Sequence, residues 1–126
     1  MKSYQPTQVA SRLLGKEVVL SDRCCGEAGT FAVARPDIAT QVRHRKLQEI
    51  QSNIQQIATN NPSQKPPVKL LTACPACQQG LTRYANDTGL ETDYIVVELA
   101  KNILGENWQN RFVAKINTGG IESVLL

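Results

Sequence analysis

VKLLTACPAC, residues 68–77, sets a short apolar run directly against a CxxC turn. A continuous apolar run of this length reads as a buried strand, Val68–Ala73, rather than as one face of a helix. The turn after it carries Cys74 and Cys77 and leads into a helix expected over Gln78–Asn86. The same order occurs upstream, where EVVL (Glu17–Leu20) is a second short run and SDRCCGEAGTF (residues 21–31) places Cys24 and Cys25 just past its end. Two further runs follow, DYIVV (Asp93–Val97) and IESVLL (Ile121–Leu126). Helical patterns separate them. PTQVASRLL (Pro6–Leu14) has proline at the first helical position and Gly15 as its stop. From Asp37 to about Thr59, Ile38, Val42, Ile50, Ile54 and Ile57 recur at three- and four-residue spacings. ELAKNIL (98–104) and Glu106–Asn117 complete the series, the latter with Trp108, Phe112, Val113 and Ile116 on its apolar side. The alternation predicts an α/β fold: an open, mostly parallel sheet of about four strands with covering helices and the cysteine loops at its C-terminal strand edge. Loops leaving parallel strands emerge at one edge, and sequential strands are usually neighbours, so the two cysteine pairs are expected to meet.

Composition narrows the function classes. The chain has 126 residues, enough for a single domain with its own core. A net charge of +3 with 20 % charged residues is too mild for a nucleic-acid partner, and no basic stripe is interleaved with aromatics. No apolar run approaches the roughly 18 residues of a transmembrane segment, and the first 15 residues lack a signal-peptide core. A cytoplasmic location is expected. In a reducing compartment, four cysteines gathered at two points read as metal ligands or redox thiols rather than structural disulfides.

Several chemistries suit these cysteines. A disulfide between adjacent Cys24 and Cys25 closes a small, strained ring, so the pair is expected to serve a third group. CPAC after a strand and before a helix fits a thioredoxin-like dithiol, a thiolate zinc site, or two core cysteines without a role. Adjacent sulfurs reach one small ion awkwardly, whereas an iron–sulfur cluster accepts thiolates from both neighbours. Gly26 and Gly29 suit the turns and close approach of a ligand loop. Glu27 reads as a solvated loop acid, and His44, within RHRK at 43–46, as part of a solvated helix face.

CCGEAGTFAVARPDIATQVRHRKLQEI (24–50), followed by CPACQQGL (74–81), resembles the CCG domain. This cysteine-rich module occurs in the heterodisulfide reductase B subunit, in iron–sulfur subunits of glycolate and lactate oxidases, and at the C-terminus of FAD-linked oxidases similar to D-lactate dehydrogenase. The ending GGIESVLL is similar to the last of these. The resemblance implies that Cys24, Cys25, Cys74 and Cys77 bind an iron–sulfur cluster, [4Fe–4S] in some members, and that FAD sits on a separate domain. It implies an electron-transfer role beside a flavin-containing dehydrogenase domain or subunit, with residues 1–126 as one CCG-like domain that does not turn over substrate alone. The family's motif begins with a further cysteine upstream of CCG, and residues 1–23 contain none. The expectations are therefore an N-terminally truncated domain, a cluster present in the full-length protein and missing from the isolated chain, and either a homodimer through an unpaired sheet edge or an irregular N-terminal region. The rival expectation is a zinc-binding or metal-free interaction domain.

Overall fold

A computed structural model describes residues 5–27, 29–63 and 67–119. Helix α1 spans Pro6–Leu14, as expected from its first-turn proline. After a non-regular segment comes the single turn α2 (Phe31–Ala34) and then α3 (Pro36–Asn60), a 25-residue helix about 37 Å long. Pro36, not Asp37, opens α3; Asp37 instead pairs with Arg35 at 2.9 Å across the helix start. Strand β1 (Lys69–Thr72) leads into α4 (Pro75–Thr82) and the single turn α5 (Ala85–Thr88), where one helix had been expected over 78–86. Strand β2 (Glu91–Tyr94) runs straight into α6 (Ile95–Leu104), and α7 (Trp108–Asn117) follows.

The fold mixes helix and strand and is mostly helical. Among the described residues its sheet has two strands, β1 and β2, parallel and paired in register from Lys69 opposite Glu91 to Thr72 opposite Tyr94. The α4–α5 crossover makes a parallel pair possible. Two expected strands differ. The run at 93–97 begins its pairing earlier and gives Ile95–Val97 to α6. β1 offers only four residues to pair with, and Glu98 in the first turn of α6 bonds Lys69 of β1 at 2.9 Å and Lys101 at 3.1 Å. Those contacts outweigh the strand preference of two valines. Ile121–Leu126 lies outside the described residues.

Glu17–Leu20 forms no strand. It lines one side of a cavity of about 630 Å³ whose other walls include Val68–Leu71, Ile54 of α3 and Ala10 of α1. The segment is held by α3 instead. Glu17 accepts hydrogen bonds from Asn60 Nδ2 at 2.7 Å and Asn61 Nδ2 at 3.2 Å, at the end of that helix. Ten residues later, Glu27 meets Arg43 on the same helix. Ten extended residues cover about 33 Å, close to the rise of about 26 Å between residues 43 and 60 of a helix. Residues 17–27 therefore run alongside α3, antiparallel to it, as a strap.

The core is small and sits where strap, sheet and α4 meet. Cys25, Ile50, Leu81, Tyr84 and Leu90 form its buried cluster, with Leu47, Ile54, Val68, Leu70 and Cys77 packed against it. The expected apolar stripe of α3 holds at Ile50, Ile54 and Ile57 but not at its start, where Ile38 is exposed. Of the apolar sides expected of α6 and α7, Leu99, Trp108 and Ile116 are half-buried, whereas Ile103, Leu104, Phe112 and Val113 are left exposed by the described residues.

Candidate functional site

Each turn of α3 holds a successive part of the Cys24–Cys25 loop. Glu49 accepts hydrogen bonds from the Ser21 hydroxyl at 2.9 Å and from the amides of Asp22 and Arg23 at 3.1 and 3.3 Å. One turn earlier Lys46, only 4 % exposed, donates to the Ser21 hydroxyl, to the Arg23 carbonyl at 2.6 Å and to Glu49 at 2.9 Å. Burial pushes the Glu49 carboxyl up, but the bonds from Lys46 and Ser21 prevail and hold it at about 2. A buried ammonium with three acceptors is fully satisfied and fixes the backbone just before Cys24. Gly26 then packs on α3, with φ +77°; a Cβ there would stand 3.3 Å from Val42 Cγ1 and 3.7 Å from the Ala39 carbonyl. The backbone conformation thus favours glycine at this position of CCG, and a side chain there would also crowd Val42.

The structure brings two of the four cysteines together. Cys25, buried in the core, lies with its Sγ 2.9 Å from Cys77 Sγ, 52 residues away in sequence. Cys77 sits in the first turn of α4, which Cys74 caps and Pro75 opens. The hydrogen bond with Cys25, then burial, then the neighbouring Cys74 push the Cys77 thiol up to about 12. Cys74 is shifted the other way: the amide of Cys77 and then its thiol hold the Cys74 thiol below its ordinary value. Cys74 and Cys24 are exposed, and the Cys24 sulfur accepts the Gly26 amide at 3.3 Å, turned back on its own loop. All four are free thiols.

Four thiols suit a soft metal or an iron–sulfur cluster by their chemistry. In the arrangement described Cys25 and Cys77 are hydrogen-bonded to each other and Cys24 to its own loop, rather than all four being spread around a centre. Thiolates on one tetrahedral zinc stand about 3.8 Å apart for Zn–S bonds of about 2.3 Å, and Cys25 and Cys77 are closer than that. Among the described residues no group of three or more His, Cys, Asp or Glu side chains is spaced to hold a metal ion.

Glu27 ties the two cysteine loops together. Its side chain is 11 % exposed, and Oε1 lies 2.7 Å from Arg83 at the end of α4 and 3.3 Å from Arg43 Nε on α3. The solvated loop acid expected from sequence is therefore a nearly buried cross-link. Gly80 of α4 makes room for it, since a Cβ there would meet Glu27 Cγ at 2.1 Å. His44 is exposed as expected, and among the described residues its ring bonds Gln48, at 3.1 Å. Lys46 and Arg43, from the same basic run, are the exceptions to the solvated face. Lys46, Glu49, Glu27, Arg83 and Gly80 were the supporting residues that sequence reasoning missed. The sole trace of them in the sequence was the three-residue spacing of Lys46 and Glu49, which exposed helix pairs share.

Comparison with known families follows the same division of the chain. Residues 82–126 match a domain of unknown function, DUF3400. Residues 3–82 match the CCG cysteine-rich domain. Neither curated proteins nor solved structures give a match. The two family regions meet at Thr82, the last residue of α4, yet the sheet joins them, because β1 belongs to the first and β2 to the second. The CCG match takes in both cysteine pairs, the strap and α3, well over half of the residues, and on that extent the chain belongs to the CCG cysteine-rich domain family.

Proposed function

We propose that this chain is an electron-transfer module that binds an iron–sulfur cluster through Cys24, Cys25, Cys74 and Cys77, working with a flavin-containing dehydrogenase domain or subunit of the FAD-linked oxidase type. Membership of the cysteine-rich family supports a metal or iron–sulfur binding module. The observation that carries the reading is the meeting of Cys25 and Cys77 at the core margin, from loops 52 residues apart. A thioredoxin-like dithiol needs only Cys74 and Cys77 and leaves this convergence without a purpose. Cys24 and Cys74 lie one residue before Cys25 and one helical turn before Cys77, so both belong to the two loops that meet at that contact. The thiolates would supply the charge that holds the irons, and the amides at the start of α4 would tune the potential.

Anaerobic reconstitution of the reduced chain with iron and sulfide tests this. The expected result is a visible charge-transfer band and an EPR signal on reduction, with iron and sulfide in stoichiometric amounts. Both should be lost in Cys25→Ser and in Cys77→Ser. Stoichiometric zinc with no iron uptake, or iron uptake unchanged in both serine variants, refutes the reading.

A further inference from the structure

The contact between Cys25 and Cys77 has a second chemical meaning that does not depend on a metal. Their sulfurs stand 2.9 Å apart, and a covalent S–S bond is about 2 Å long, so bond formation needs an approach of about 0.9 Å. Both side chains are set in the same apolar cluster, with Ile50, Leu81, Tyr84 and Leu90 around them. The other two thiols are placed differently. Cys24 turns back to its own loop, and Cys74 is exposed at the start of α4.

We propose that the metal-free chain forms a reversible disulfide between Cys25 and Cys77, which locks the strap to the CxxC helix while Cys24 and Cys74 stay thiols. The oxidant is a low-molecular-weight disulfide, R–S–S–R, of the glutathione class. Exposed Cys74 attacks it and releases one R–SH. Cys77, one turn along α4, then displaces the second R–SH from Cys74. Finally Cys25 attacks Cys77 Sγ, and Cys74 leaves as a thiol carrying the proton from Cys25. Each exchange forms one S–S bond and breaks one. In sum two thiols lose two electrons and two protons, and R–S–S–R is reduced to two R–SH. The bond occupies two of the thiols the cluster reading requires, so the oxidised chain takes up no metal until it is reduced.

The test uses the full chain stripped of metal, equilibrated in buffers of increasing glutathione disulfide to glutathione ratio, then alkylated, digested with trypsin and mapped by mass spectrometry. Cleavage after Arg23, Arg43, Lys69 and Arg83 isolates residues 24–43 and 70–83. The expected product joins these two peptides, with fragment ions placing the alkyl groups on Cys24 and Cys74. The Cys24→Ser and Cys74→Ser variants keep the link at equilibrium, and Cys25→Ser loses it. In urea the linked chain unfolds at higher denaturant than the same chain after dithiothreitol. A predominant Cys74–Cys77 disulfide, glutathione adducts without an inter-loop link, or thiols that stay free under oxidising buffer each overturn the proposal. The mapping is independent of iron uptake, so it stands or falls apart from the cluster reading.

Discussion

Replacing Gly80 by alanine should destabilise the protein, although glycine-to-alanine changes inside helices usually stabilise. Alanine in a helix is favoured by about 1 kcal/mol over glycine. Against that gain, the new Cβ would overlap Glu27 Cγ at 2.1 Å and crowd its Cδ and Cβ at 3.1 and 3.2 Å. These atoms form the stem of the side chain, not a free end, so Glu27 must leave its place. It then gives up the contacts with Arg83 at 2.7 Å and Arg43 at 3.3 Å, and the cross-link between the cysteine loops goes with them. Arg83 is half exposed, so its ion pair contributes under about 1 kcal/mol, and displacing a packed side chain costs about 1–3 kcal/mol. The net for Gly80→Ala is a loss of about 1–2 kcal/mol. The Glu27→Gly background removes the obstacle, Cβ included, and there the same substitution should stabilise by about 0.5–1 kcal/mol. Urea denaturation followed by far-UV circular dichroism on the four chains of the cycle measures both numbers. If Gly80→Ala has the same sign in both backgrounds, Glu27 does not lie over Gly80 and the account of the cross-link fails.

Three further outcomes follow from the same supports. Lys46→Met leaves Glu49 nearly buried with its three neutral donors but no cation, and should cost about 3 kcal/mol, at the low end for a broken buried pair; faster amide exchange at residues 22–26 should accompany it, and an effect below about 0.5 kcal/mol contradicts the role assigned to Lys46. Glu49 ionises at about 2 in the fold against 4.5 for the free group, so it contributes up to about 3 kcal/mol above pH 5, lost as pH falls from 4.5 towards 2. Urea midpoints between pH 7 and pH 2.5 should drop less steeply in Glu49→Gln than in the parent chain, and identical slopes refute the assignment. With Cys74 held below its ordinary value and Cys77 pushed up to about 12, iodoacetamide at pH 7.5 should label Cys74 well before Cys77, read by peptide mass spectrometry; the reverse order contradicts the helix-start field.

Much of the fold was legible in the sequence where a pattern had a single physical reading. Pro6 opened α1, and the apolar run at 68–73 gave β1 with the CxxC directly after it and a helix following, although that helix starts at Pro75 rather than at Gln78. The two cysteine loops do meet, at Cys25 and Cys77, although the strand expected to bring this about at Glu17–Leu20 does not form and α3 holds the loop instead. What the pattern hid was competition between partners. EVVL has strand composition, but Glu17 on one side and Glu49 with Lys46 on the other tie its neighbourhood to α3, and no ladder forms. The run at 93–97 was split because Glu98 has two lysines to meet. Charges on α3 are indistinguishable in sequence from solvated ones until the strap is laid over them. Lys46 and His44, two residues apart in one basic run and so about 200° apart around the helix, differ in burial because the strap covers only the Lys46 side.

The strap also bears on how the cysteine loop can vary. Ala39, the neighbours Val42 and Arg43, then Lys46 and Glu49 meet it one helical turn after another along one stripe of α3. Each helical residue advances the stripe by about 100°. A single-residue insertion between Val42 and Lys46 would therefore leave Gly26 seated and swing the anchors of Ser21–Arg23 a quarter-turn away. Point changes can be absorbed one at a time, whereas a change of length between these anchors puts the two halves of the loop out of phase.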